Sequence, residues 1–155
     1  MQAHPSPKNV LVTGATSGIG QAIAVRFARE GANVALNYRK DLSSLDETRS
    51  QIEESIDPSA GLKIVPVQAD VSKEDQVIGM FEEAIAHLGR LDVLINNAGI
   101  QIEEESHEVE IDDFDKVINV NLRGAYLCAR EAIQQFLKQE SEGLIINVSS
   151  VHEII

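Results

Sequence analysis

A glycine-rich turn wedged between a short apolar run and a helical repeat constrains this chain more than any other feature. Residues 8–13 are apolar enough for a buried strand. Thr13-Gly14-Ala15-Thr16-Ser17-Gly18-Ile19-Gly20 follows at once, and Ile19, Ile23 and Phe27 then recur at a spacing of four. In that order, glycines let the backbone come close to a pyrophosphate that the helix N-terminus then stabilises. A glycine-rich turn alone is also compatible with a plain tight bend, so its place between strand and helix is what gives it weight.

The unit then repeats along the chain. Gly31 stands where a glycine commonly ends a helix, residues 33–37 read as a second strand, and a weaker helix is expected over about 43–56, closed by Pro58. Residues 62–68, rich in Ile and Val, form a third strand. Ser72 followed by Asp75 is a helix-start signal, with Val77, Phe81, Ala84 and Leu88 as the buried stripe. Residues 91–95 are a fourth strand, 112–138 one long helix and 144–148 a fifth strand. This alternation predicts a single α/β domain over residues 1–155. Its core is a doubly wound, Rossmann-type parallel sheet of order 3-2-1-4-5, with helices on both faces and the ligand crevice at the carboxyl ends of strands 1 and 4. Unbroken apolar runs at 10–12 and 93–95 agree with burial on both faces.

Charge and cysteine content narrow the function. A net charge of −12 argues against nucleic acid or an anionic membrane surface as partner. Much of it is concentrated in residues 101–115, which hold eight carboxylates and no Lys or Arg. They read as a solvated loop entering a helix whose N-terminus favours carboxylates, or as a rim that repels anionic substrates. Cys128 is the only cysteine, and no histidine sits at a recognised metal-ligand spacing, so neither an internal disulfide nor a metal site is expected. With no signal-like or membrane-length apolar run, a cytoplasmic location is expected.

The spacing Gly14-x-x-x-Gly18-Ile19-Gly20 resembles that of the short-chain dehydrogenase/reductase family. Asp70-Val71, Asn96-Asn97-Ala98-Gly99 and Ile145-Ile146-Asn147-Val148-Ser149-Ser150 match the same family in order and spacing. The resemblance implies an NAD(P)-dependent oxidoreductase. It also implies a coenzyme site formed by Gly14, Ser17, Gly18, Ile19, Gly20, Asp70, Val71, Asn97, Ala98 and Gly99. In the family the position of Asp70 hydrogen-bonds the adenine, and the Asn97 segment lies along the ribose. Asn96 is expected to bridge strand ends. The end of the second strand separates the two coenzymes, because a carboxylate there would hold the ribose of NAD and repel the phosphate of NADP. Tyr38 stands at that position, with Arg39 and Lys40 after it. A guanidinium grips a phosphate through paired hydrogen bonds, so NADP is expected, with NAD tolerated.

For the reaction, the resemblance implies that Ser150 polarises the substrate oxygen and Asn121 anchors a proton-relay water. Asn121 also has a physical case of its own, since an amide in an apolar helical stretch must find partners. Asn119 and Ser149 are expected to be helix surface and strand pairing. The family's Tyr-x-x-x-Lys pair, on a helix beyond the serine, has no counterpart within the 155 residues; Tyr126 and Arg130 precede Ser150 and read as packing and surface charge. A chain without the family's last strands and helices is expected to be inactive alone, and to be poorly soluble or to assemble because its fifth strand is an open apolar edge. Within the family, Ser150-Val151-His152-Glu153, Asn37-Tyr38-Arg39 and Arg130-Glu131-Ala132-Ile133 are similar to the bacterial glucose 1-dehydrogenases, which implies a sugar or polyol substrate, and the family resemblance implies a homo-oligomer. Two alternatives stay open: an enzyme similar to 3-oxoacyl-acyl-carrier-protein reductases, and a non-catalytic dinucleotide-binding module.

Overall fold

β1 (Asn9–Val12) and β4 (Val93–Asn96) are buried along their whole length, which explains why neither shows an alternating pattern. In the computed structural model, which describes residues 7–150, they are neighbours at the centre of a five-stranded sheet. β2 (Asn33–Tyr38) flanks β1, β3 (Ile64–Gln68) lies outside β2, and β5 (Leu144–Asn147) lies outside β4. Every pairing is parallel, and the order β3-β2-β1-β4-β5 is the one the alternation predicts.

The helices cover the two faces as separate cores. α1 (Gly18–Arg29) and α2 (Leu42–Glu53) pack on Val10, Val12, Val34 and Leu36; α3 (Glu74–Leu88) and α5 (Ala125–Lys138) pack on Leu11, Ala35 and Leu94. Each large side chain so buried contributes about 1.5–3 kcal/mol. α1 ends as its sequence suggests. Gly31, at φ 84°, donates to Ala28 O, and Ala32 donates to Phe27 O, which closes the last turn.

Four local expectations are corrected. The buried stripe of α1 is Gly20, Ala24, Val25 and Ala28; Ile19 is 61% exposed, because small residues let the helix lie close to the sheet. Ser72 does not cap α3. Its hydroxyl donates to Asp70 Oδ1 instead, and Lys73 occupies the cap position. The long helix is not uniform. α4 (Ile111–Ile118) and α5 are joined by a π-helical turn, Asn119–Gly124, where Gly124 is pressed against Val71. Tyr126 is exposed rather than packed, whereas Arg130 is the surface charge expected, paired with Glu74 and Glu131. The acidic segment runs without regular structure into α4, whose first turn carries Asp112 and Asp113.

Candidate active site

A cleft of about 540 Å³ opens at the carboxyl ends of β1, β2, β3 and β4, within the range of small-molecule and cofactor sites. The glycine turn forms its floor. Gly14 and Gly18 both lie at positive φ, 61° and 52°, a conformation most side chains avoid. Gly20 is required for a different reason: a Cβ there would overlap Gly14 O and Asn97 Nδ2. The turn is therefore shaped by backbone at one point and by contact at another.

Two neighbouring strands hold this turn. Thr13 Oγ1 donates to Ile95 O at 3.2 Å and accepts from the amides of Asn97 and Ala98, both at 3.0 Å. Asn97 Nδ2 donates back to Thr13 O and Gly14 O at 3.0 and 3.1 Å. The family-like Asn97 segment is thus the second wall of the glycine turn. Asn96 does what was expected of it, donating to Ala125 O and Asn147 Oδ1 across the strand ends.

What remains open faces the cleft. The first amides of any α-helix lack intrahelical partners, and Ser17, at the N-cap of α1, makes no capping hydrogen bond with its side chain. Ile19 is exposed and lines the cleft beside them, and amides so placed could hold a diphosphate, the group that an NAD(P) coenzyme would bring there.

At the far end the cleft is lined by Tyr38, Arg39, Lys40, Asp41 and Asp70. Asp70 accepts from the amide and hydroxyl of Ser72 at 3.0 and 2.6 Å. Partial burial raises its pKa, but those two bonds and the charges of Arg39 and Lys73 outweigh it and leave the carboxyl below its usual value. Asp41 was missed by sequence reasoning as a cleft residue. Its carboxylate accepts from the Ser44 hydroxyl, from Ser43 Oγ at 2.8 Å and from Ser44 N at 3.1 Å, and so caps α2. Those bonds hold its pKa down at about 2. Its oxygens are thereby committed to α2, and Arg39 and Lys40 are the cationic side chains at this end of the cleft.

At the near end lie Asn97, Ala98, Gly99, Ile100 and Val120. Asn121 does not line the cleft. Its Oδ1 accepts from Ile100 N at 2.8 Å and its Nδ2 donates to Ile100 O at 2.9 Å, so the amide finds both its partners on the backbone of one residue of the wall. Ser150, three residues past the Asn96–Asn147 pair, is exposed beside the carboxyl end of β4 and is not a wall of the cleft. Val71 lines the cleft and is buried under Gly124. His152 lies outside the described residues. Asn119 is exposed, as expected.

Sequence reasoning also missed Asn37 and Thr48, both buried polar residues that touch the glycine turn. A lone amide inside the apolar run of β2 is the signal that could have found the first. Among the described residues no cluster of potential metal ligands occurs, and no helix is long and apolar enough to cross a membrane.

The short chain dehydrogenase family model matches residues 8–154. The chain is similar to glucose 1-dehydrogenase 2 of Bacillus subtilis, 42% identical over 96% of this chain and 56% of that protein. It is similar to 3beta-hydroxysteroid dehydrogenase 1 of Eggerthella lenta, 45% identical over 96% of this chain and 55% of that protein. Among solved structures it is similar to a short-chain type dehydrogenase/reductase from Mycobacterium marinum. That match has a TM-score of 0.88 and 31% identity, and it covers 97% of this chain and 58% of that one. The chain spans about half the length of the curated relatives it matches.

Proposed function

The chain belongs to the short-chain dehydrogenase family, and from that premise we propose that it builds the coenzyme site of an NAD(P)-dependent oxidoreductase acting on a sugar or polyol hydroxyl. The observation that carries this is the uncapped start of α1, open to a cleft with Asp70 at one end and the residues 97–100 wall at the other. Relatives of nearly equal identity are named for glucose and for a 3β-hydroxysteroid. The sugar therefore rests on the Asn37-Tyr38-Arg39 and Ser150-Val151-His152-Glu153 resemblance.

When bound, NAD(P) supplies or accepts the hydride at its nicotinamide ring. The chain's own residues bind and orient. The first-turn amides of α1 take the diphosphate, Asp70 the adenine, and Ala98 and Gly99 the ribose nearer the reaction. Asn121, closed on Ile100, holds that wall in register. Ser150, beyond the carboxyl end of β5, donates its hydroxyl hydrogen to the substrate oxygen. The exposed apolar residues of the π turn and α5, Leu122, Ile133 and Leu137, are the surface through which copies pair.

Arg39 selects NADP. It lies beside Asp70 at the same end of the cleft, and the Asp41 carboxylate close by is hydrogen-bonded into the start of α2. Replacing Arg39 with Asp is expected to weaken NADP binding at least ~10-fold by turning attraction into repulsion, and to change NAD binding far less. Calorimetric titration with both coenzymes checks it. Equal effects would remove Arg39 from the site, and no saturable signal with either coenzyme would remove the site itself.

A further inference from the structure

Asn37 is 2% exposed, yet its side chain is spent almost entirely on a neighbouring turn and strand. Its Oδ1 accepts from Gly14 N at 3.1 Å. Its Nδ2 donates to Ala69 O at 3.1 Å, with Val67 O and Tyr38 O further off at 3.4 Å. Its backbone carbonyl accepts from Ala15 N at 2.9 Å. One residue therefore joins the first two peptides of the glycine turn to the last turn of chain before Asp70.

Two consequences follow for a ligand in the cleft. The Gly14 and Ala15 amides are already satisfied, so an anion must be met by the later amides at the start of α1. The distance between those amides and Asp70 is also set through Asn37, because no other side chain hydrogen-bonds both the glycine turn and the end of β3 among the described residues. We infer that Asn37 is a positioning residue for coenzyme: it fixes the span between the diphosphate site and the adenosine end of the cleft. The inference rests on the coenzyme reading of the cleft and goes beyond it, since the polar atoms of the Asn37 side chain are spent on Gly14 and on the carbonyls before Asp70.

Asn37→Asp and Asn37→Leu in the full chain separate the possibilities. Asp keeps the acceptor for Gly14 but sets a carboxylate against the carbonyls of Val67 and Ala69. Leu keeps the bulk and loses both bonds. Calorimetry with ADP-ribose should show the Asp variant bound about 10- to 100-fold more weakly near neutral pH, the scale of leaving one or two buried polar groups unpaired. Burial beside carbonyls raises the carboxyl's pKa, so affinity should recover as pH falls from about 8 to about 5, when a proton restores the donor. Arg39, Lys40, Asp41, Asp70 and Lys73 surround this point, and the wild type titrated in parallel removes their contribution. The Leu variant should stay weak throughout. A folded Leu variant that binds like wild type would overturn the inference, as would an Asp variant whose affinity does not recover with acid.

Amide exchange on the wild type tests it without a variant. Gly14 N–H should be protected before ligand is added, and its signal should move less than those of residues 18–20 when ADP-ribose binds. Rapid exchange at Gly14, or an equal shift, overturns the positioning role. Absence of any ADP-ribose binding by wild type overturns the coenzyme reading instead, and a Gly14 amide that remains protected identifies that case.

Discussion

On the β3-β2-β1 side of the sheet the polar groups at the strand ends are closed on one another, whereas on the β4-β5 side apolar groups face outward. Asn37, Thr48 and, reaching across from the end of β4, Asn97 converge on residues 13–15, and β1 is fully buried. By contrast, Leu144 and Ile146 in β5 are 52% and 39% exposed, and Leu122 on the π turn is 65% exposed. The first region has its geometry fixed from within the chain, as a site that binds a ligand without rearrangement must. The second has surface that water does not favour, and its stability depends on what covers it.

The harshest way to break that contrast is Gly20→Ala. Its methyl would overlap both Gly14 O and Asn97 Nδ2, so the turn must open or the helix must shift. A loss of about 3 kcal/mol is expected, at the upper end of the ordinary cost of overpacking, together with loss of coenzyme binding. Denaturant unfolding and calorimetry would show both; a stable variant that binds normally would mean the turn is looser than described. Gly124→Ala applies the same test on the other side. Its methyl would meet Val71 Cγ2 at 2.9 Å and Val71 O at 3.1 Å, and a cost of about 1–3 kcal/mol is expected. A smaller cost than for Gly20→Ala would confirm that the second region yields more easily.

The ends of α1 and α5 sharpen the comparison further. Both close with the same pair of backbone bonds, but α1 uses Gly31 at φ 84° and α5 uses Glu140 at φ 50°. A left-handed non-glycine residue costs roughly 1–2 kcal/mol, part of which glycine returns as chain entropy. Glu140→Gly is therefore expected to raise stability by about 1 kcal/mol, read from the unfolding midpoint. The smallest effect on folding should come from Leu122→Glu, within about 0.5 kcal/mol of wild type. Its signature is instead weaker self-association in sedimentation, and unchanged association would assign the pairing surface elsewhere.

How much of this was legible in the sequence depends on how far apart the partners lie. β1 and β4 were legible because burial on both faces leaves an unbroken apolar run, and the end of α1 because Gly31 acts within its own turn. The cleft was legible because its glycines are contiguous. Ser72 was misread because its partner, Asp70, competes from the loop for the hydroxyl that would have capped α3. The π turn was not legible, because it depends on Ile100, 21 residues from Asn121, and on the contact of Gly124 with Val71. Asn37 escaped for the same reason. Its partners sit 23 and 32 residues away on either side of β2, and no periodicity records them.

The central place of β1 also has a consequence for biosynthesis. β1 leaves the ribosome first and can pair with β2 soon after, since Val10 meets Val34, but its other edge waits for Val93. At elongation rates of about 5–20 residues per second that wait lasts on the order of 4–17 s, during which the nascent chain displays an unpaired apolar edge to any folding helper that meets it.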